Sequence, residues 1–206
     1  MKITRDDLLI AAFRLFMSVN YEKASFAELG KMLGMSKAGI FKYYKNKQEL
    51  FIAVADKFLF STQNPRNKFT ETNGSFAEFI DEYVKGVQRT MDMLGNLIDT
   101  DKDKVAQGKF SCHTEYFHFL FQLLQYDPDA KEKFRNLAEG EYAYWRTAIQ
   151  RAIATGELRK DVDVEAAVVM FRQVYMGLSF EMSFFDGLDT GQLAKHLHAV
   201  YSLLKS

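Results

Sequence analysis

Residues 36–50, SKAGIFKYYKNKQEL, gather Lys37, Lys42, Lys45 and Lys47 with Phe41, Tyr43 and Tyr44, and hold no acid before Glu49. Ammonium groups interleaved with rings attract phosphates, so this stretch is predicted to lie against a polyanion. A buried helix does not tolerate four lysines, and a surface that serves only solubility mixes both signs. The rest of the chain offers little competing chemistry. His113 and His118 are five residues apart, and His196 and His198 two apart. Neither spacing puts both rings on one helical face, so no metal site is expected. Cys112 and His113 point apart on a helix and lack an orienting third group, which argues against a thiol nucleophile. Phosphate-binding loops, dinucleotide fingerprints and nucleophile elbows are absent from the sequence, so neither catalysis nor a cofactor is expected.

The charge is distributed unevenly. The chain of 206 residues balances 27 Lys and Arg against 27 Asp and Glu. Residues 1–60 nevertheless carry ten basic and six acidic side chains, a balance of +4, and residues 61–206 carry seventeen and twenty-one, a balance of −4. Such a split predicts that the N-terminal part meets an anionic partner and the remainder does not. A lone cysteine forms no intrachain disulfide. The opening MKITRDDLLI has acids where a signal peptide needs an apolar core, and no apolar run reaches the ~18–20 residues of a bilayer span. A cytoplasmic protein without a membrane partner is expected.

The elements that must position the lysines are helices. Apolar residues recur at helical spacing, and only two prolines interrupt them. Thr4 with Asp7, Ser25 with Glu28, and Asn46 with Glu49 read as capping boxes, and Ser36 caps a short helix to about Tyr43. Asn20 suits the end of the first helix and Gly34 a left-handed turn. Further helices are predicted at about 75–95, 112–126, 130–155, 164–185 and 190–205. The polar segment 61–74 reads as a boundary or hinge. The fold class is all-α, with about nine helices.

Residues 25–44 have the proportions of a helix-turn-helix: SFAELGKML, GMS, KAGIFKYY. One helix fits the major groove, and Lys37, Ala38 and Gly39 keep its start slim enough to approach base edges. GMSKAGIFKYYKNKQELF resembles the recognition-helix region of the TetR family of bacterial transcriptional regulators. The resemblance is strong over 4–58 and weaker at 156–204, where GELRKDVDVEAA is similar to the lead-in to that family's dimerisation helices. It implies an N-terminal DNA-binding domain, 1–47, and a helical effector-binding and dimerisation domain, 48–206, joined by a fourth helix at about 47–62. It implies that Ser25 bonds a phosphate, that Lys37, Ala38, Gly39 and Lys42 face base edges from a helix capped by Ser36, and that Tyr43 and Lys47 grip the backbone. Phe41 stands where the family usually has tyrosine. Gly30 replaces the usual alanine, at a helix cost of order 1 kcal/mol.

Residues 166–185 are apolar nearly all round, and the last helix carries an apolar stripe. Two such helices meeting their copies across a two-fold axis make a four-helix contact. Val168, Phe171, Tyr175, Leu178, Met182, Leu193, Leu197, Val200, Tyr201 and Leu204 are the expected interface, with a central core helix of a monomer as the alternative. The aromatic-rich middle is expected to hold a pocket for a small hydrophobic or amphiphilic effector. Its candidates are Phe79, Tyr83, Arg89, Met91, His113, Tyr116, Phe117, Phe121, Tyr142, Trp145, Phe171 and Tyr175, with Glu141 and Glu181 as further polar groups. The resemblance thus implies a homodimeric regulator, a repressor, that binds a palindromic double-stranded operator and is released by its effector. An effector-independent DNA-binding protein and a helical enzyme using the aromatic cavity stand as alternatives.

Overall fold

A computed structural model describes the backbone of residues 3–70, 74–98 and 113–206, and their side chains except at 98 and 113. The chain is all-α. In order the helices are α1 (Arg5–Ser18), α2 (Phe26–Leu33), α3 (Lys37–Phe41), α4 (Lys47–Ala55), α5 (Pro65–Lys68), α6 (Phe76–Ile98), α7 (His113–Tyr126), α8 (Ala130–Ala154), α9 (Val164–Met182) and α10 (Thr190–Leu204). α4 runs on into a single π turn, Asp56–Phe60.

Local chemistry starts these helices where it was expected. Thr4 accepts from the Asp7 amide at 3.1 Å while the Asp7 carboxylate accepts from the Thr4 amide at 2.9 Å. Ser25, Ser36 and Asn46 accept from the amides of Glu28, Gly39 and Glu49. Each such cap satisfies a backbone donor that the helix leaves unpaired. α1 ends on extended Val19, and Asn20 opens the turn that follows, its carbonyl accepting the Lys23 and Ala24 amides at 3.1 Å.

Two compact units form. The first comprises residues 1–62 and 94–133. Its core is aromatic: Phe51 meets Phe16 at 4.9 Å and Phe119 of α7 at 5.2 Å, and Phe13 stacks on Phe58 at 4.9 Å. The second comprises residues 63–93 and 134–206. Its centre is Trp145, wholly buried, stacked on Phe171 at 4.8 Å and met edge-on by Tyr83, Phe79 and Phe69. Burying a ring system of roughly 200 Å² stabilises by about 5 kcal/mol before ordering costs. The Glu157 carboxylate holds the open end of α6, accepting the Phe76 amide at 2.8 Å and the Tyr201 hydroxyl at 2.9 Å.

The segment 61–74 is not wholly a solvated hinge. It contains α5, and both Lys68 and Phe69 are buried. Two glycines make this possible. A Cβ on Gly86 would lie 2.0 Å from the Lys68 carbonyl oxygen, and one on Gly140 would lie 2.9 Å from the Pro65 ring. The α5 backbone therefore rests directly against α6, and its proline against α8. Gly86→Ala is expected to destabilise the protein by roughly 2 kcal/mol despite alanine's better helix propensity, because backbone must shift to admit the methyl. Urea unfolding of the variant measures this.

Candidate functional site

The helix-turn-helix is closed by glycines. Gly34 adopts the left-handed conformation (φ 63°) and its amide donates to the Gly30 carbonyl. A Cβ on Gly30 would lie 2.6 Å from the Met35 carbonyl oxygen, and the Met35 amide donates to the Gly30 carbonyl at 2.9 Å. Glycine at position 30 is what lets the turn fold back so tightly, which offsets its helix cost. Ile40 and Tyr44 are buried beneath α3 and fix its rotation. That rotation leaves Ser36, Lys37, Ala38, Phe41 and Lys42 exposed and Gly39 half-buried. Phe41 packs edge-on against Phe26 at 4.9 Å, and the Lys37 ammonium sits 5.8 Å from the Phe41 ring centre. The outward side of α3 is thus small at its start and positively charged, the form that enters a major groove.

Three residues expected at phosphates are engaged internally. The Lys47 ammonium donates to the carbonyls of Tyr21, Glu22 and Ala24 at 2.8, 3.2 and 3.1 Å, and lies 4.4 Å from the Tyr21 ring centre. An ammonium has three N–H donors, so none is left for a phosphate oxygen. Tyr43 is half-buried and its hydroxyl donates to the Ile3 carbonyl at 3.2 Å, which ties the chain start to the end of α3. The Ser25 hydroxyl donates to the Glu28 carboxylate at 3.0 Å while capping α2. Sequence patterning marks these residues as polar; it does not mark the backbone carbonyls that claim them.

The expected effector residues divide between the two units. Phe79, Tyr83, Trp145, Phe171 and Tyr175 are buried together in the second, with Tyr142 and Met91 packed against them. Tyr116, Phe117 and Phe121 belong to α7 in the first unit, and Phe121 is exposed. Arg89 and Glu181 are exposed. The His113 side chain lies outside the described residues, as does Cys112.

A group that the sequence reading passed over completes this region. Lys68 is buried, and its ammonium bonds the Glu141 carboxylate at 2.7 Å; Arg172 bonds the other carboxylate oxygen at 2.9 Å. The ammonium lies 4.7 Å from the Tyr175 ring centre, and the Arg172 guanidinium 5.4 Å from that of Tyr142. Burial works to lower the pKa of Lys68, but the Tyr175 phenol and Glu141 carboxylate outweigh it and the pKa stands raised. Burial pushes the Tyr83 phenol well above its ordinary value, with the Glu141 charge adding to the effect, so Tyr83 keeps its proton. Lys68 sits in a polar, proline-containing run, and nothing in that run signals the two distant glycines that bury it.

The expected interface residues also sit differently. Val168, Phe171, Tyr175, Leu178, Leu193 and Leu197 are buried in their own unit, and Met182, Val200, Tyr201 and Leu204 pack partly against it. The apolar side chains turned outward on these helices are Val169, Met170, Phe180 and Leu203, followed by Phe184. A helix apolar on all sides has two apolar faces, and composition does not say which one faces the chain's own core.

A helix-turn-helix with an exposed basic second helix, on an all-α body, is the form of a DNA-binding transcriptional regulator. Residues 8–54 match the model of the bacterial regulatory proteins of the tetR family. Over these residues the chain is similar to the TetR family. It is 27% identical over 202 residues to the HTH-type transcriptional repressor AcnR of Corynebacterium jeikeium (strain K411), spanning 97% of this chain and 91% of that protein. Its fold is similar to that of the TetR family transcriptional regulator PfmR from Thermus thermophilus, with TM-score 0.65, 18% identity and coverage of 94% and 96% of the two chains. It is also similar to AibR, crystallised in complex with isovaleryl coenzyme A and operator DNA, with TM-score 0.61, 17% identity and 97% of each chain covered.

Lys42→Ala is expected to weaken DNA binding and relax sequence preference, as loss of a base contact does, and to reduce the slope of affinity against salt by about one through the lost positive charge. Lys47→Met is expected to cost about 2 kcal/mol of folding stability through its lost charge-assisted bonds and to leave that slope unchanged. Anisotropy titrations over a range of salt, beside thermal melts, separate the two.

Proposed function

We propose that this regulator is a homodimeric repressor that binds a palindromic operator through α3 and is released by a small hydrophobic or amphiphilic effector. The observation that carries the DNA side is the face of α3, where Lys37, Ala38 and Lys42 are exposed while Ile40 and Tyr44 anchor the helix from behind. Residues 1–47 supply this reading head and residues 48–206 the effector and dimer functions. A helix of five residues touches few bases, so two copies on half-sites one helical turn apart are needed for useful specificity. The relative AcnR is named a repressor, and the similar AibR was crystallised with both an acyl thioester ligand and operator DNA. Both support this reading. Among the described residues no helix is long and apolar enough to cross a membrane.

The outward side of α9 supplies the dimer contact. Val169, Gln173, Gly177 and Phe180 recur at helical spacing along it, Phe184 continues the line, and Leu203 adds to it from α10. Space is open beside Gly177, so a partner helix can approach its backbone closely. Effector and DNA then act antagonistically if each favours a different separation of the two α3 helices, since a ligand shifts an equilibrium only through differential affinity.

The test is assembly. At micromolar concentration the protein should sediment as a dimer, and Phe180→Glu, which charges an exposed position, should yield a folded monomer that no longer binds a palindromic duplex. A wild-type monomer, or a Phe180→Glu dimer with full DNA affinity, would remove this interface.

A further inference from the structure

Among the described residues the charge cluster of the second unit pairs buried Lys68 with buried Glu141 and adds one further positive charge, that of the part-buried Arg172. Glu141 already has both oxygens engaged, Oε1 by Lys68 and Oε2 by Arg172. It is not an open acid waiting for a cation. Two further donors belong to the same aromatic core. The Tyr83 hydroxyl and the Trp145 indole nitrogen are buried and, among the described residues, lack any hydrogen-bond partner. Their rings lie 4.9 Å apart, and Tyr83 meets Tyr175 at 6.1 Å, beside Lys68. Buried polar atoms in folded proteins nearly always have partners, and an excess charge at the edge of an apolar core attracts a counter-charge. What the cluster lacks is therefore an acceptor bearing negative charge. Its neighbours set the rest of the ligand, because Phe69, Phe79 and Phe171 surround Trp145 and favour an apolar body. Arg172, at 20% side-chain exposure, is the cluster's member nearest to solvent and marks the entry.

We propose that Lys68, Arg172 and Tyr83 form the polar end of the effector site and bind the carboxylate of an amphiphilic monocarboxylic acid, whose apolar part lies among the rings around Trp145. This assignment rests on the effector-controlled reading above. A cationic amphiphile meets repulsion from two cations, and a neutral alcohol leaves the excess charge uncompensated.

Trp145 is the chain's only tryptophan, so its fluorescence reports the site directly. The full chain is titrated with sodium octanoate, octanol and octyltrimethylammonium. Octanoate should change the emission at concentrations about tenfold below either of the others, a margin of about 1.4 kcal/mol. Tyr83→Phe removes a hydroxyl that bonds nothing among the described residues of the free protein, so it should leave the melting temperature unchanged yet weaken octanoate binding several-fold. Arg172→Gln should abolish the octanoate response. Octanol or octyltrimethylammonium matching octanoate would overturn the anion site while leaving effector control intact. An emission unmoved by all three would also overturn it. Octanoate binding with these signatures that releases no operator DNA would uphold the anion site and remove the effector reading instead.

Discussion

The DNA-binding half of this protein depends on one ammonium group. Lys47 lies at the first turn of α4 and reaches back to three carbonyls of the loop between α1 and α2. Carbonyls that all point at one spot repel each other unless a cation sits among them. With the cation present, Ala24 is buried, Ser25 begins α2 at a fixed place, and the Gly30–Met35 turn carries α3 outward from there. Phe51, one turn beyond Lys47, locks the same helix into the aromatic core with Phe16, Tyr21 and Phe119. The reading helix is short and makes little structure of its own. Its orientation is inherited from α4 through this tether and from Ile40 and Tyr44 beneath it.

Much of this could be read in the chain. Caps and glycines act locally, so the starts at Thr4, Ser25, Ser36 and Asn46 and the left-handed turn at Gly34 follow from short stretches. The helix-turn-helix was legible for the same reason, together with its charge. What escaped was set by residues distant in sequence. The burial of Lys68 needs Gly86 and Gly140 to clear room for α5, and its partners lie on α8 and α9. The roles of Lys47 and Tyr43 hinge on backbone carbonyls, which look alike at every position. On α9 the apolar pattern was visible, but its two faces could be told apart only after Trp145 and Phe171 had chosen one of them.

The two units use their polar groups differently. In the first, lysines are displayed at the surface of α3, where water and salt screen them and a polyanion can collect them. In the second, Lys68 and Arg172 converge on Glu141 inside an aromatic shell, where charge is felt strongly and selectively. Helix α6 contributes residues to both, Tyr83 to the second and Leu97, whose carbonyl accepts the Arg14 side chain of α1, to the first.

The π turn that continues α4 carries one residue more than an α-turn, because the Ser61 amide donates to the Asp56 carbonyl, five residues back, at 3.0 Å. Each α-helical residue advances the azimuth by about 100°. The surplus residue therefore resets which sides of the helix are apolar, with Leu50, Phe51, Val54 and Ala55 buried before it and Phe58 and Leu59 within it. Register here is a matter of number rather than type. Substituting a residue between 56 and 60 alters one contact, whereas deleting one lets the ladder close as ordinary α-helix and rotates everything on one side of it by about a quarter turn. Gaining or losing one residue at this point is thus the equivalent of turning a key in its lock, and a chain that lacks the π turn would align here only with a one-residue gap if the same side chains are to face inward.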